Sequence, residues 1–209
     1  MNPFRLPLRV LAMAAVAAAL SGCITLLPKT DPVGLYRFGN SPVAAAKGPP
    51  GKLFGVLKTP TVFTRASSSD RLLTITDGEA AYIAGARWVS PASVLFDEAV
   101  ARAFEADPGR ARLIGRGEVA KADLVLRLEV RSFEAVYVNG PKAPPEVLVQ
   151  VRGVINRNSD RALVGDQIFE ARATASSNRV GAIVQAYDAA NAKVLSEITT
   201  WVDGAGPGI

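Results

Sequence analysis

A single thiol and a complete lack of imidazole set the chemistry open to this 209-residue chain, because Cys23 is its only cysteine and it contains no histidine. No Ser-His-Asp triad, Cys–His dyad or zinc site of histidine and cysteine can be built from such a chain. An internal disulfide is equally excluded. What the thiol can do follows from its neighbours. Met1–Arg9 carries Arg5 and Arg9 and no acid, and Val10–Leu20 is an unbroken apolar run rich in alanine. These are the positive and hydrophobic regions of an export signal. Leu20-Ser21-Gly22-Cys23 follows at once: a large aliphatic residue, two small ones and a cysteine. The small residues let a protease approach the backbone, and the thiol is the nucleophile that accepts a diacylglyceryl group. The pattern is that of the lipobox.

Cleavage between Gly22 and Cys23 would free an amino group for a further acyl chain such as palmitate. Lipidation of Cys23 is therefore the one site residue the sequence assigns; no catalytic, cofactor-binding or metal-ligating residue is assigned. The competing reading is an uncleaved helix from Val10 to Leu27, but its second half carries Ser, Gly, Cys and Thr, and its length sits at the lower limit for spanning. Two or three acyl chains, at about 0.8 kcal/mol per buried CH₂, hold a protein on a bilayer without spanning it. Ile24 follows the cysteine where an aspartate would favour the inner membrane, so the expected address is the outer membrane, facing the periplasm.

The elements that must present this anchor can be read along the chain. Residues 24–51 are rich in Pro and Gly around one aromatic island, Tyr36-Arg37-Phe38, which predicts a tether broken by a short docking strand. Fully extended, 28 residues reach about 100 Å. Strands are expected at Leu53–Leu57, Leu72–Thr76 and Ala81–Ile83, with Asp77-Gly78 as a turn. Ser90-Pro91 reads as an N-cap followed by proline at the first helical position. The helix it opens runs to Ala106, with Val94, Leu95, Phe96, Ala99, Val100, Ala103 and Phe104 as its apolar face. A strand at Arg112–Gly115 precedes the alternation of Leu124, Leu126, Leu128 and Val130, whose phase slips at Ser132 and so predicts a bulge. Val147, Val149 and Val151 alternate again, Asn156–Asp160 makes a hairpin turn, and Ala162–Ala175 returns. A last helix spans Arg179–Val202.

The expected fold is α/β: a single domain with a mixed sheet packed by two main helices. It comprises a signal peptide over 1–22, a lipidated N-terminus and tether over 23–51, the domain over 52–203 and a tail over 204–209. Removing Arg5 and Arg9 with the signal leaves 22 basic against 19 acidic residues, or +3, too little and too dispersed for nucleic-acid binding. Among the surface candidates, Trp88 fits a core position better than an interface anchor. Arg87 has either a partner chain or a local carboxylate such as Glu98 as its counter-ion. Asp97-Glu98 reads as a solvated helix face, because neighbours on a helix point about 100° apart and form no dyad. Glu129, Asp166 and Glu170 read as an outward sheet surface. The Asn139–Pro145 loop is either an ordinary connection or a contact for a partner.

The Tyr36-Arg37-Phe38 island, Arg71–Thr76, the Tyr82 strand, Arg87-Trp88, the helix opened by Pro91, Leu124–Val130 and the closing helix ending in Trp201 resemble the ABC-type transport auxiliary lipoprotein family, in its paraquat-inducible protein C (YmbA-like) branch. The resemblance implies an accessory subunit, not an enzyme, whose partners are an Mce-domain protein with its ABC ATPase and permease, in a system that moves lipid between inner and outer membranes. It leaves open a homo-oligomer. No Walker A motif is present in the chain, so it would not drive transport itself. A structural envelope lipoprotein that assists assembly of an outer-membrane complex is the alternative.

Overall fold

In the computed structural model of the protein, the described residues are 32–39, 52–107, 109–115 and 117–206. The signal peptide, Cys23 and most of the expected tether lie outside them. Among the described residues nine strands form one mixed sheet: β1 Gly34–Tyr36, β2 Phe54–Lys58, β3 Val62–Phe63, β4 Arg71–Thr76, β5 Glu79–Trp88, β6 Ala111–Leu113, β7 Leu124–Val136, β8 Glu146–Arg157 and β9 Leu163–Thr174. Among the described residues two helices, α1 Ala92–Ala106 and α2 Val180–Gly204, complete the α/β fold that the sequence predicts.

The spine is β7. Its leucines alternate inward, and Leu126 and Val130 are fully buried. The register against β8 shifts between Val130 and Ser132, which is the expected bulge, and the shift turns Phe133 into the core at 1% exposure. One edge of β7 pairs with β8 along its whole length. The other edge takes three short strands in chain order, all parallel: Val56↔Leu124, Val62↔Glu129 and Thr74↔Ala135. The gap between the first two holds Pro60, which has no N–H for a ladder. Next to β4, the β5 strand returns through Asp77 (φ 49°) and Gly78 (φ 85°), the left-handed pair of a type I′ turn. It runs past the predicted Ile83 to Trp88 because β1 lies parallel against its last three residues.

At the start of α1 the structure departs from the expected cap. Pro91 itself is the N-cap, in extended conformation, and no side chain bonds the first turn. The Ala92 N–H is instead satisfied by the carbonyl of Ser69 at 2.9 Å, so a hydroxyl at Ser90 is not needed. Val94, placed on the apolar face by periodicity, is 45% exposed, and the buried face is carried by Leu95, Phe96, Ala99, Val100 and Phe104. Asp107 leaves the helix in extended conformation, as a residue before proline must.

The long helix α2 packs over β8 and β9. Its Trp201 lies over two glycines: a Cβ built on Gly153 or on Gly165 would stand 2.8 Å from the indole ring. Trp201 also meets Phe169 edge-on, with centroids 5.3 Å apart. Replacing Gly153 by valine is expected to lower stability by about 1–3 kcal/mol through overpacking, read by chemical denaturation, and to red-shift the Trp201 emission as the ring lifts off.

Candidate functional site: the N-terminal strap and the exposed faces

Residues 33–39 form a strap built into the domain. Gly34, Leu35 and Tyr36 stand in register with Ala86, Arg87 and Trp88, and Val89 N–H donates to the Tyr36 carbonyl at 2.8 Å. Phe38 is fully buried, with its ring 5.0 Å from both Trp88 and Phe133. Gly39 sits at φ 77° against α1, where a Cβ would come within 2.8 Å of the Ala99 side chain. Its N–H donates to Asp188 Oδ1 at 2.5 Å, and its carbonyl accepts from Arg102 Nε at 3.0 Å. The strap is thus gripped by β5, α1 and α2 together.

Trp88, at 2% exposure, belongs to this core and not to a free surface. Its ring also meets Tyr187 edge-on at 5.2 Å. The Tyr187 hydroxyl donates to the Leu73 carbonyl at 3.1 Å. Burial, followed by the nearby Glu134 and Tyr137, pushes the Tyr187 phenol well above its usual range. The fold therefore favours the neutral phenol. That stabilisation is whole below the unfolded value near 10 and is lost as pH rises toward the higher folded value. Tyr187→Phe is expected to cost about 1 kcal/mol at neutral pH, the net worth of one hydrogen bond, and to flatten the fall in stability above pH 10 in denaturation curves taken across that range.

The ion pairs give Arg87 a local carboxylate, one of its two open alternatives, and correct the reading of Asp97-Glu98. Arg87 pairs with Asp70 at 2.8 Å and not with Glu98. Glu98 accepts from Arg37 of the strap and lies 3.7 Å from Arg102 one turn along α1. Its neighbour Asp97 accepts from Lys58 Nζ and from Thr61 Oγ1, both at 2.5 Å. The two acids, read as a merely solvated face, clasp separate segments onto α1.

Glu129, Asp166 and Glu170 do lie on the outward face of the sheet, within a ladder of pairs. Arg152 holds Asp166 in a two-pronged contact at 2.9 and 2.5 Å and reaches Glu129 at 3.9 Å. Arg172 bonds both Glu146 and Glu170 at 2.9 Å. The hydrogen bonds from Arg152 hold the Asp166 carboxyl below its usual range, and Gln150 with Arg172 does the same for Glu170. A carboxylate so paired is a poor proton carrier near neutrality. Among the described residues no group of three or more Cys, Asp or Glu is placed to hold a metal ion, and no helix is long and apolar enough to cross a membrane.

The Asn139–Pro145 loop is tied down as a connection. Asn178 Nδ2 donates to Pro141 O at 3.0 Å and Tyr137 OH donates to Asn178 Oδ1 at 2.8 Å. A groove of 1040 Å³ runs between α1 and the β2–β6 edge, with Leu57, Val94 and Leu113 in its lining and Lys58, Glu105 and Arg112 among its charges. Sequence reasoning missed the grip on Gly39 and the role of Asp203, whose carboxylate in the last turn of α2 accepts the N–H groups of Arg110 and Ala111. The Phe-Gly step that ends the aromatic island was the available signal for the first.

A family model described as ABC-type transport auxiliary lipoprotein component matches residues 36–199, which begins inside the strap and ends in α2. Among solved structures, protein XCC0632 from Xanthomonas campestris, assigned to DUF330, superposes with a TM-score of 0.70 at 23% identity, covering 83% of this chain and 97% of its own. The hypothetical protein CT253 from Chlamydia trachomatis gives 0.52 at 14% identity over 77% and 98%. These likenesses show a shared fold. No curated protein matches the chain.

Proposed function

The chain belongs to the ABC-type transport auxiliary lipoprotein family, and from that premise we propose that it is a docking subunit, without chemistry of its own, for an Mce-type ABC system carrying lipid between the inner and outer membranes. Its partners in this reading are the Mce-domain protein and, through it, the ATPase and permease. The acyl groups on Cys23 hold it on the outer membrane, the membrane favoured by Ile24 after the cysteine, facing the periplasm. The observation that carries the reading is the family match across nearly all of the described fold, from Tyr36 within the strap into α2.

The strap sets the working distance. With Gly34 fixed in β1, only residues 24–33 separate the anchor from the fold, so the reach is at most about 35 Å and not the ~100 Å of the fully extended 24–51 stretch. A domain held so close meets a partner that has crossed the periplasm to it. The test is a strain lacking the protein, in a background without redundant systems. It should become sensitive to detergent and to large antibiotics, and be rescued by the intact chain but not by Cys23→Ala. An unchanged barrier would contradict the proposal.

A further inference from the structure

The far edge of the sheet is open. Among the described residues β9 pairs only with β8, and its twelve residues contain neither proline nor lysine. Natural sheets usually blunt such an edge, because its unpaired N–H and C=O groups form a template for another strand. The phase of the ladder is fixed by Ala175 N–H, which donates to Pro145 O at 2.9 Å. By alternation, the backbone groups of Asp166, Ile168, Glu170, Arg172 and Thr174 face away from β8.

The side chains along this edge choose an occupant. A second copy pairing antiparallel about a two-fold axis keeps nearly the whole strand engaged in two registers only, centred on Ile168 or on Phe169, since cross-strand neighbours share a face. Centred on Ile168, Asp166 meets Glu170 of the other copy, twice. Centred on Phe169, Asp166 meets Arg172 twice, Ile168 meets Glu170, and no like charges face each other. Ile168, 51% exposed, gains cover in this register. From this open edge and its self-complementary charges we infer that two copies of the chain join through β9, antiparallel and centred on Phe169, into one continuous sheet.

The test uses the full-length lipoprotein in cell envelopes, where Cys23 is the only native cysteine. In this register residues 168 and 170 of opposite copies lie about 5.5 Å apart at Cα, within disulfide range. The double variant Ile168→Cys, Glu170→Cys should give an oxidised dimer, and Ile168→Cys alone should not. Ile168→Glu places like charges across the axis twice while facing Arg152 within its own chain. In mild detergent it should weaken dimerisation about tenfold with an unchanged thermal midpoint. A dimer formed by Ile168→Cys alone, no cross-link from the double variant, or an Ile168→Glu chain that dimerises normally would each overturn the inference. The outcome is independent of the transport reading, which barrier complementation tests.

Discussion

Cys23→Ala is expected to leave residues 1–22 on the chain and to remove every acyl group from it. In the proposed function the Cys23 thiol is the acyl acceptor, and its acylation precedes cleavage before it. Intact-mass measurement of the envelope protein reads both changes at once: the variant should be heavier by the uncut leader and lighter by the lipid. Function should be lost even if the folded domain accumulates, because in the proposed reading the acyl groups on Cys23 are what hold the domain at the membrane. A variant that is trimmed normally and still sediments with membranes would mean that Cys23 is not the point of attachment.

Phe38→Ala should cost about 3–5 kcal/mol, a large part of the 5–15 kcal/mol that a domain commonly has. The ring is fully buried and contacts Trp88 and Phe133, so its removal opens a cavity where β1, β5 and β7 meet. The effect also has a local readout. With Phe38 gone, the strap retains the short β1 ladder and the polar grip on Gly39, and it should open far more often than the rest of the fold. Cleavage by trypsin after Arg37, whose side chain is held by Glu98, should then accelerate well before global unfolding. An unchanged denaturation midpoint with unchanged cleavage would show that the strap is not part of the cooperative fold.

Which features were legible in the sequence follows from the range of the forces that made them. The alternation through Leu124–Val130, the bulge at Ser132, the Asp77-Gly78 turn and the end of α1 at Ala106 are written in neighbouring residues, and each appears where local pattern places it. The length of β5 was not legible, because its last three residues pair with a strand about fifty positions earlier. Nor was the cap of α1, where a distant carbonyl, that of Ser69, replaces the hydroxyl that local rules expect. The partners of Glu98 and Gly39 lie 61 and 149 residues away in sequence. No periodicity encodes such distances. Val94 shows the opposite limit: it fits the apolar stripe of α1 but faces a groove.

Those long-range contacts bear on the proposed function, since they fix residues 33–39 in the fold and leave at most about 35 Å of chain between an acylated Cys23 and β1. The most direct test of the docking role is chemical cross-linking of the intact lipoprotein in living cells, followed by purification in mild detergent and identification of the attached proteins and lipids by mass spectrometry. The account predicts recovery of an Mce-domain protein, with cross-linked peptides that locate the docking face. Recovery of only the chain itself or of other outer-membrane proteins, from lysates in which the Mce-domain protein is detected, would contradict it and point to a structural envelope lipoprotein.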